Sequence, residues 1–252
     1  PFAKQGFTLG DVIDYTPEVK AAALARINGL RLGPLYTPPS MEGTVTAPGS
    51  IGGANWGGAS VDPETGWLYV KSTNQPSLWR IQKRAAPSDT IDAPYAADLP
   101  GSALNIRVGD SNIPLPLNKG PYGTLTAIDL NTGDHKWEVV IGDTPDIRNH
   151  PALAGAQLPE KLGVAGSAGT LVTRGGLVFS SGGGRVLYAF DAITGKTLWE
   201  YDLGQVAYAN PMTFRSQGRQ ILVIATGGGT SSKLVAFALP PELQSKQVAF
   251  RL

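Results

Sequence analysis

"AIDLNTGDHKW" (127–137) and "AFDAITGKTLW" (189–199) align without a gap, sharing Ala, Asp, Thr, Gly and Trp at equivalent positions. Each copy has a mechanical reading. A short alternating strand ends at Asp129 or Asp191, whose carboxylate can accept hydrogen bonds from the turn amides. Thr-Gly supplies the turn, with Gly133 or Gly195 tolerating positive φ, and Trp137 or Trp199 lies on the returning strand. A third start, "LVAFALPPEL" (234–243), repeats Leu234, Ala236 and Phe237, but Ala238 replaces the Asp and Pro240-Pro241 the turn. Repetition of this kind marks an array of similar units.

Outward from the second copy, "GTLVTRGG" (169–176) and "LVFSSGGGRVLYAFD" (177–191) complete four strands between about residues 168 and 203, one antiparallel propeller blade. "NPMTFRSQGRQILVIATGGG" (210–229) and "KLVAFALP" (233–240) give three strands of the next. The preceding blade opens with "NWGGASVD" (55–62) and "GWLYVKSTN" (66–74). After an excursion from Gln75 to Lys119 it resumes with "GTLTAIDL" (123–130) and "KWEVVIG" (136–142). The fold class is therefore all-β, a partial β-propeller of about three four-stranded blades with one short N-terminal helix. Blades occupy about 51–142 (insertion 75–119), 165–204 and 205–240 of a 51–252 region, behind a non-repetitive segment 1–50. That segment carries the helix near 17–28: Thr16 as N-cap, Pro17 at the first helical position, an Ala/Leu-rich run, and Gly29 as a stop. Propellers need at least four blades to close, so exposed edges and an apolar blade face require a cover. A missing N-terminal half or self-association of copies would supply one; otherwise the isolated chain is poorly soluble.

Composition narrows the functions. At 252 residues and 42% hydrophobic the chain can bury a core, and 32 Gly with 20 Pro suit many short strands and turns. A formal net charge of +1 gives no electrostatic footprint for nucleic acid or an anionic membrane. The absence of cysteine removes disulfides, thiolate nucleophiles and Cys-bearing metal sites. Apolar stretches such as 221–225 are too short to span a bilayer. A start at Pro1 without initiator Met or signal-like segment reads as a processed product or a fragment. In "GGANWGG" (52–58), four glycines flank Asn55-Trp56, marking a bulge or a place where another backbone or a flat ligand comes close.

The repeat A-x-D-x-x-T-G-x-x-x-W resembles the tryptophan-docking motif of eight-bladed quinoprotein dehydrogenases, which use pyrroloquinoline quinone (PQQ). "YTPPS", "GGANWGG", "GTLVTRGGLVF", "ANPMTFRSQGRQ" and "LVAFALP" resemble, in order and character, the C-terminal part of the membrane-bound glucose dehydrogenase branch. The likeness covers nearly the whole chain. It implies that Asn55 donates a hydrogen bond to the quinone, that Trp56 lies at the rim or wall of the pocket, and that the glycines admit a planar cofactor. Methanol-dehydrogenase-like members carry a floor tryptophan where Ser167 stands, beside Ala168, in "GSAGTLVT" (166–173), which favours the sugar-oxidising branch. Gly228, within Gly227–Gly229, would line the cofactor mouth. The family's calcium ligands and catalytic Asp lie upstream, so no catalytic residue and no metal ligand is assigned here.

The implied chemistry is hydride removal from an alcohol carbon to a quinone carbonyl, helped by a carboxylate base and the ion. The implied partners are a sugar or polyol and a quinone or cytochrome acceptor, in the periplasm, with the isolated chain inactive. Other readings stand beside these. Trp137 and Trp199 read as structural indoles, Asp129 and Asp191 as turn acceptors, and Asp62 belongs to a type I turn with Gly66. Asn55 on its own reads as a turn-capping amide. His135 and His150 lack ligand spacing for zinc, and the runs 182–185 and 226–232 lack the Gly-Lys-Ser/Thr ending of a phosphate loop. The excursion is too long for a hairpin loop, leaving a partner-facing role, disorder or elaboration. The alternative function is a cofactor-free propeller scaffold or binding protein. A carbohydrate-binding propeller would show repeated exposed loop aromatics, which the sequence lacks.

Overall fold

Thr16, Pro17 and Glu18 open a helix as the sequence predicts. In the computed structural model, which describes residues 1–84 and 93–240, α1 spans Pro17–Ile27. The Thr16 hydroxyl accepts from the Val19 amide at 3.3 Å, Pro17 sits where no amide is needed, and Arg26 complements the C-terminal dipole. Gly29 follows at φ +78°. Val19, Ala23 and Ile27 share one face and are buried.

The expectation of a single helix needs correction, because a four-residue α2 spans Pro145–Arg148. Its opening, Thr144-Pro145-Asp146, has the same Thr-Pro-acid order as α1. So short a helix shows no periodic stripe and is marginal alone. Arg148 holds it through two bonds to Asp143, at 2.6 and 3.0 Å, and through the carbonyls of Pro159 and Glu160.

The strands fall largely where the repeats place them. The first stretch of chain gives β1 (Thr44–Thr46), β2 (Ala59–Asp62), β3 (Trp67–Thr73), β4 (Ser77–Lys83) and β5 (Tyr95–Ala103). The next gives β6 (Asn105–Ile106), β7 (Leu115–Pro116), β8 (Gly123–Asp129) and β9 (His135–Val140). β10 (Leu171–Thr173), β11 (Leu177–Ser180), β12 (Val186–Asp191) and β13 (Thr197–Asp202) form the next antiparallel sheet in chain order. β14 (Met212–Ser216), β15 (Arg219–Thr226) and β16 (Lys233–Ala238) form a three-stranded one, and β2-β3-β8-β9 is the remaining four-stranded sheet. These successive antiparallel sheets are the blades of a partial β-propeller.

Two units divide the chain. The first contains Pro1–Asn55, Ser72–Leu125 and Val139–Ala165. Its core packs the buried face of α1 with Ile13, Leu78, Ile106, Leu115, Leu117, Tyr122 and Leu162. Five of those side chains come from, or directly follow, the excursion between β3 and β8. Its described residues supply β4 and β5, which form a sheet with β1, and a β6-β7 ribbon. They are a folded elaboration, held by the same apolar burial as the rest of the unit. His150 is spent structurally: its Nε2 lies 3.0 Å from the Ile113 carbonyl and its Nδ1 accepts from the Ala152 amide.

The second unit contains Trp56–Lys71, Thr126–Glu138 and the chain from Gly166 onward. On β12, four successive side chains, Leu187, Tyr188, Ala189 and Phe190, are buried, so this strand is covered on both faces. Outer β13 is mostly exposed. Polar stitches join neighbouring sheets: the Thr170 hydroxyl donates to the Tyr69 carbonyl at 2.9 Å and lies 2.8 Å from the Ser60 hydroxyl. Trp137 Nε1 donates to the Ala192 carbonyl at 3.0 Å, and its ring lies 5.8 Å from that of Tyr69. Aromatic pairs of this kind contribute about 0.5–1.5 kcal/mol beyond area burial. Trp199 meets Phe237 edge-on at 5.3 Å between ring centres. On the third sheet Met212, Phe214 and Leu234 are exposed, the last at 76%.

The two turns work as acceptor turns. Asp129 Oδ1 takes the Asn131 amide at 2.9 Å, and Asp191 Oδ1 takes the amides of Thr194 at 2.8 Å and Ile193 at 3.0 Å. These bonds, led by the Thr194 amide, hold the Asp191 carboxyl below its ordinary range. A depressed folded value adds stability above the unfolded value of about 3.9 and loses it as pH falls through the folded one. Asp191→Ala should therefore be less stable than the parent at pH 7, with the gap in urea midpoints closing below about pH 4. A gap independent of pH would contradict the turn's charge-assisted bonding. Trp137→Phe, which keeps a ring and removes the donor, should lower unfolding free energy by about 1 kcal/mol. Equal stability of the two proteins would show that the indole bond contributes nothing.

Candidate functional site

The seven residues 52–58 show what their glycines do. Gly52 and Gly58 take positive φ, +75° and +63°, where a side chain would be strained. Gly53 abuts Ala3, and its carbonyl accepts the Thr73 amide at 2.6 Å. A Cβ on Gly57 would overlap the backbone of the 167–169 segment, coming within 2.6 Å of the Ser167 carbonyl. Of the two readings of the clearing, another backbone fills it at Gly57.

Asn55 belongs to the first unit and is half-buried there, its Nδ2 donating to the Ile51 carbonyl at 2.6 Å. That bond ties the carboxamide to the backbone four residues before it. Trp56 begins the second unit with its side chain fully exposed. Ser167 is half-buried and Ala168 only 2% exposed. Gly228 is exposed, with open space where a Cβ would point.

Within the second unit, three segments from successive sheets meet at one side chain. Asn210 Nδ2 donates to the Gly57 carbonyl at 2.7 Å, and Asn210 Oδ1 accepts the Gly169 amide at 2.7 Å. The Gly169 carbonyl in turn accepts the Ser180 hydroxyl at 2.9 Å. One turn away, Lys71 donates to the Gly166 carbonyl, and Gly166 packs directly on Gly183. Lys71 is 3% exposed, and burial pulls its ammonium down to about 7. The structure thus brings Trp56, Ser167 and Ala168 onto adjoining backbone segments, and leaves Gly228 on a separate loop after β15.

Sequence reasoning missed both Asn210 and Lys71. A signal existed for each: Lys71 interrupts an apolar strand in "LYVKST", and Asn210 is a lone amide before Pro211 in the loop leading to β14. Neither pattern names its partner, because Gly57 lies 153 residues from Asn210.

Comparison with known proteins matches residues 1–222 to the family model described as "PQQ: Glucose/ethanol/alcohol dehydrogenase, beta-propeller domain". The chain is 34% identical over 235 residues to a "Probable quinate dehydrogenase (quinone)" of Xanthomonas campestris pv. juglandis, covering 84% of this chain and 29% of that protein. Identity to the quinate/shikimate dehydrogenase (quinone) of Acinetobacter baylyi is 30%, covering 86% of this chain and 29% of the relative. Identity to quinoprotein glucose dehydrogenase A of Acinetobacter calcoaceticus is 33%, with 82% and 27% covered. The chain thus spans under a third of the length of these curated relatives. With its consecutive antiparallel sheets, its docked indole and a family match over 1–222, the chain belongs to the PQQ glucose/ethanol/alcohol dehydrogenase β-propeller family.

Proposed function

We propose that this chain is the C-terminal portion of a periplasmic, PQQ-dependent dehydrogenase of sugars or polyols, and that it supplies one wall of the quinone pocket. The observation that carries the reading is Trp56: a fully exposed indole one residue from Gly57, whose backbone is locked onto the 167–169 segment. The residues present fit a flat aromatic group: the exposed Trp56 indole can stack, on a backbone held at Gly57 by the 167–169 segment. PQQ, when bound, supplies a quinone that takes hydride from an alcohol carbon.

This chain's residues bind and orient. In the second unit Trp56 covers an edge of the ring system and Ser167 with Ala168 leaves a small, partly polar surface beside it; in the first unit Asn55 offers a carboxamide that is bonded to Ile51. Among the described residues no group of three or more His, Asp or Glu could hold a metal. In this reading the calcium ligands and the catalytic carboxylate belong to the rest of the full-length protein, as the family resemblance implies, together with the cover for the exposed apolar face of the third sheet. Relatives named for quinate and glucose share polyhydroxylated substrates, which is the class proposed here, with a quinone or cytochrome as electron acceptor.

The test uses the full-length protein and this chain side by side. Reconstituted with PQQ and calcium, the full-length protein should reduce an artificial dye in the presence of quinate, glucose or glycerol, and lose that activity on chelation. The isolated chain should bind PQQ weakly and give no turnover. Turnover by the isolated chain, or none by the reconstituted full-length protein with any of the three polyols, would overturn the reading.

A further inference from the structure

We infer that Asn210 is a positioning residue for the quinone wall: its carboxamide fixes the spacing between the backbone that carries Trp56 and the backbone that carries Ser167 and Ala168. The inference rests on the proposed quinone site, although the clamp itself is geometric.

Gly57 offers a carbonyl, which can only accept, and Gly169 an amide, which can only donate. A planar carboxamide matches both at once, with its Nδ2 and Oδ1 each 2.7 Å from its partner. The partners also decide the amide orientation, since a flipped Asn210 would set donor on donor and acceptor on acceptor. No other common side chain of this length does both; Asp lacks the donor and Leu lacks both groups.

The clamp works because its partners are glycines. A Cβ on Gly57 or Gly169 would overlap the opposing segment's backbone, so the two chains meet without intervening side chains. Their separation is then set by backbone contact and by the one carboxamide that spans them. Pro211 restrains Asn210 in turn, since the residue before a proline is held in extended conformations. Lys71 at Gly166 and the Ser180 hydroxyl at the Gly169 carbonyl hold the two ends of the 166–169 segment. Trp56 is bonded directly to Gly57, so displacement of that carbonyl moves the indole's attachment point.

Two variants separate positioning from general stability. Asn210→Asp keeps the acceptor for Gly169 and sets a carboxylate oxygen against the Gly57 carbonyl, whereas Asn210→Ala loses both bonds. In the full-length protein, backbone amide exchange should be at least tenfold faster in the peptide over 166–171 for Asn210→Ala and near parental for Asn210→Asp. The peptide over β12 should be unchanged in both. PQQ affinity, read by quenching of tryptophan fluorescence, should fall at least tenfold in both variants, with melting temperature shifted by only a few degrees. If both variants bind PQQ within twofold of the parent, the positioning role is wrong while the quinone reading stands. Faster exchange across all sheets in Asn210→Ala would reduce Asn210 to a stability residue and also overturn it. If the parent full-length protein binds no PQQ, the functional reading fails, and with it the quinone-wall role, whatever the exchange result.

Discussion

A sheet whose central strands are apolar on both faces has to be covered on both, and this constraint organises the second unit. The four buried side chains in a row on β12 cannot be hidden by one layer. Neighbouring sheets provide the cover, and the contacts between them are the ones that decide structure: Trp137 on the Ala192 carbonyl, Thr170 on the Tyr69 carbonyl, and aromatic pairs such as Tyr69 with Trp137. Where the third sheet ends, Leu234, Met212 and Phe214 are exposed. Burial on both faces thus accounts for the repeat, the indole and the exposed edge together.

The same packing shapes the candidate site. Sheets fastened at their outer turns by an indole bring their connecting loops together at the other end, where side chains leave no room. Gly57, Gly169, Gly166 and Gly183 are glycines because backbone meets backbone there. Such a place has carbonyls and amides needing partners, and Asn210, Ser180 and Lys71 supply them. A lysine kept dry by this arrangement loses affinity for its proton, which is why burial draws Lys71 toward neutrality. Beside this backing the Trp56 side chain is fully exposed.

Much of the fold was legible in the chain because its signals are local. Thr-Pro-acid opens α1, Thr-Gly turns close the hairpins, and the spacing from Asp191 to Trp199 recurs from Asp129 to Trp137. α2 was missed although it opens with the same three residue types, since four residues cannot display a helical period. The excursion was undecided for a related reason: β6 and β7 are two residues each, and its Leu and Ile side chains acquire meaning only when α1 packs on them. At the site, "GGANWGG" flagged close approach but not its partner.

By itself the sequence determined the repeating hairpin, the positions of its turns and indoles and the helix start, each of which rests on residues within a dozen positions of one another. Only the tertiary structure decided that Gly57 faces Gly169 rather than a ligand, that Lys71 is dry, and that Asn210 joins segments more than 150 residues apart in the chain. Local conformational preference is written in neighbouring residues, whereas the pairing of a carbonyl with a distant amide is set by how sheets stack, and no short stretch of chain encodes that distance.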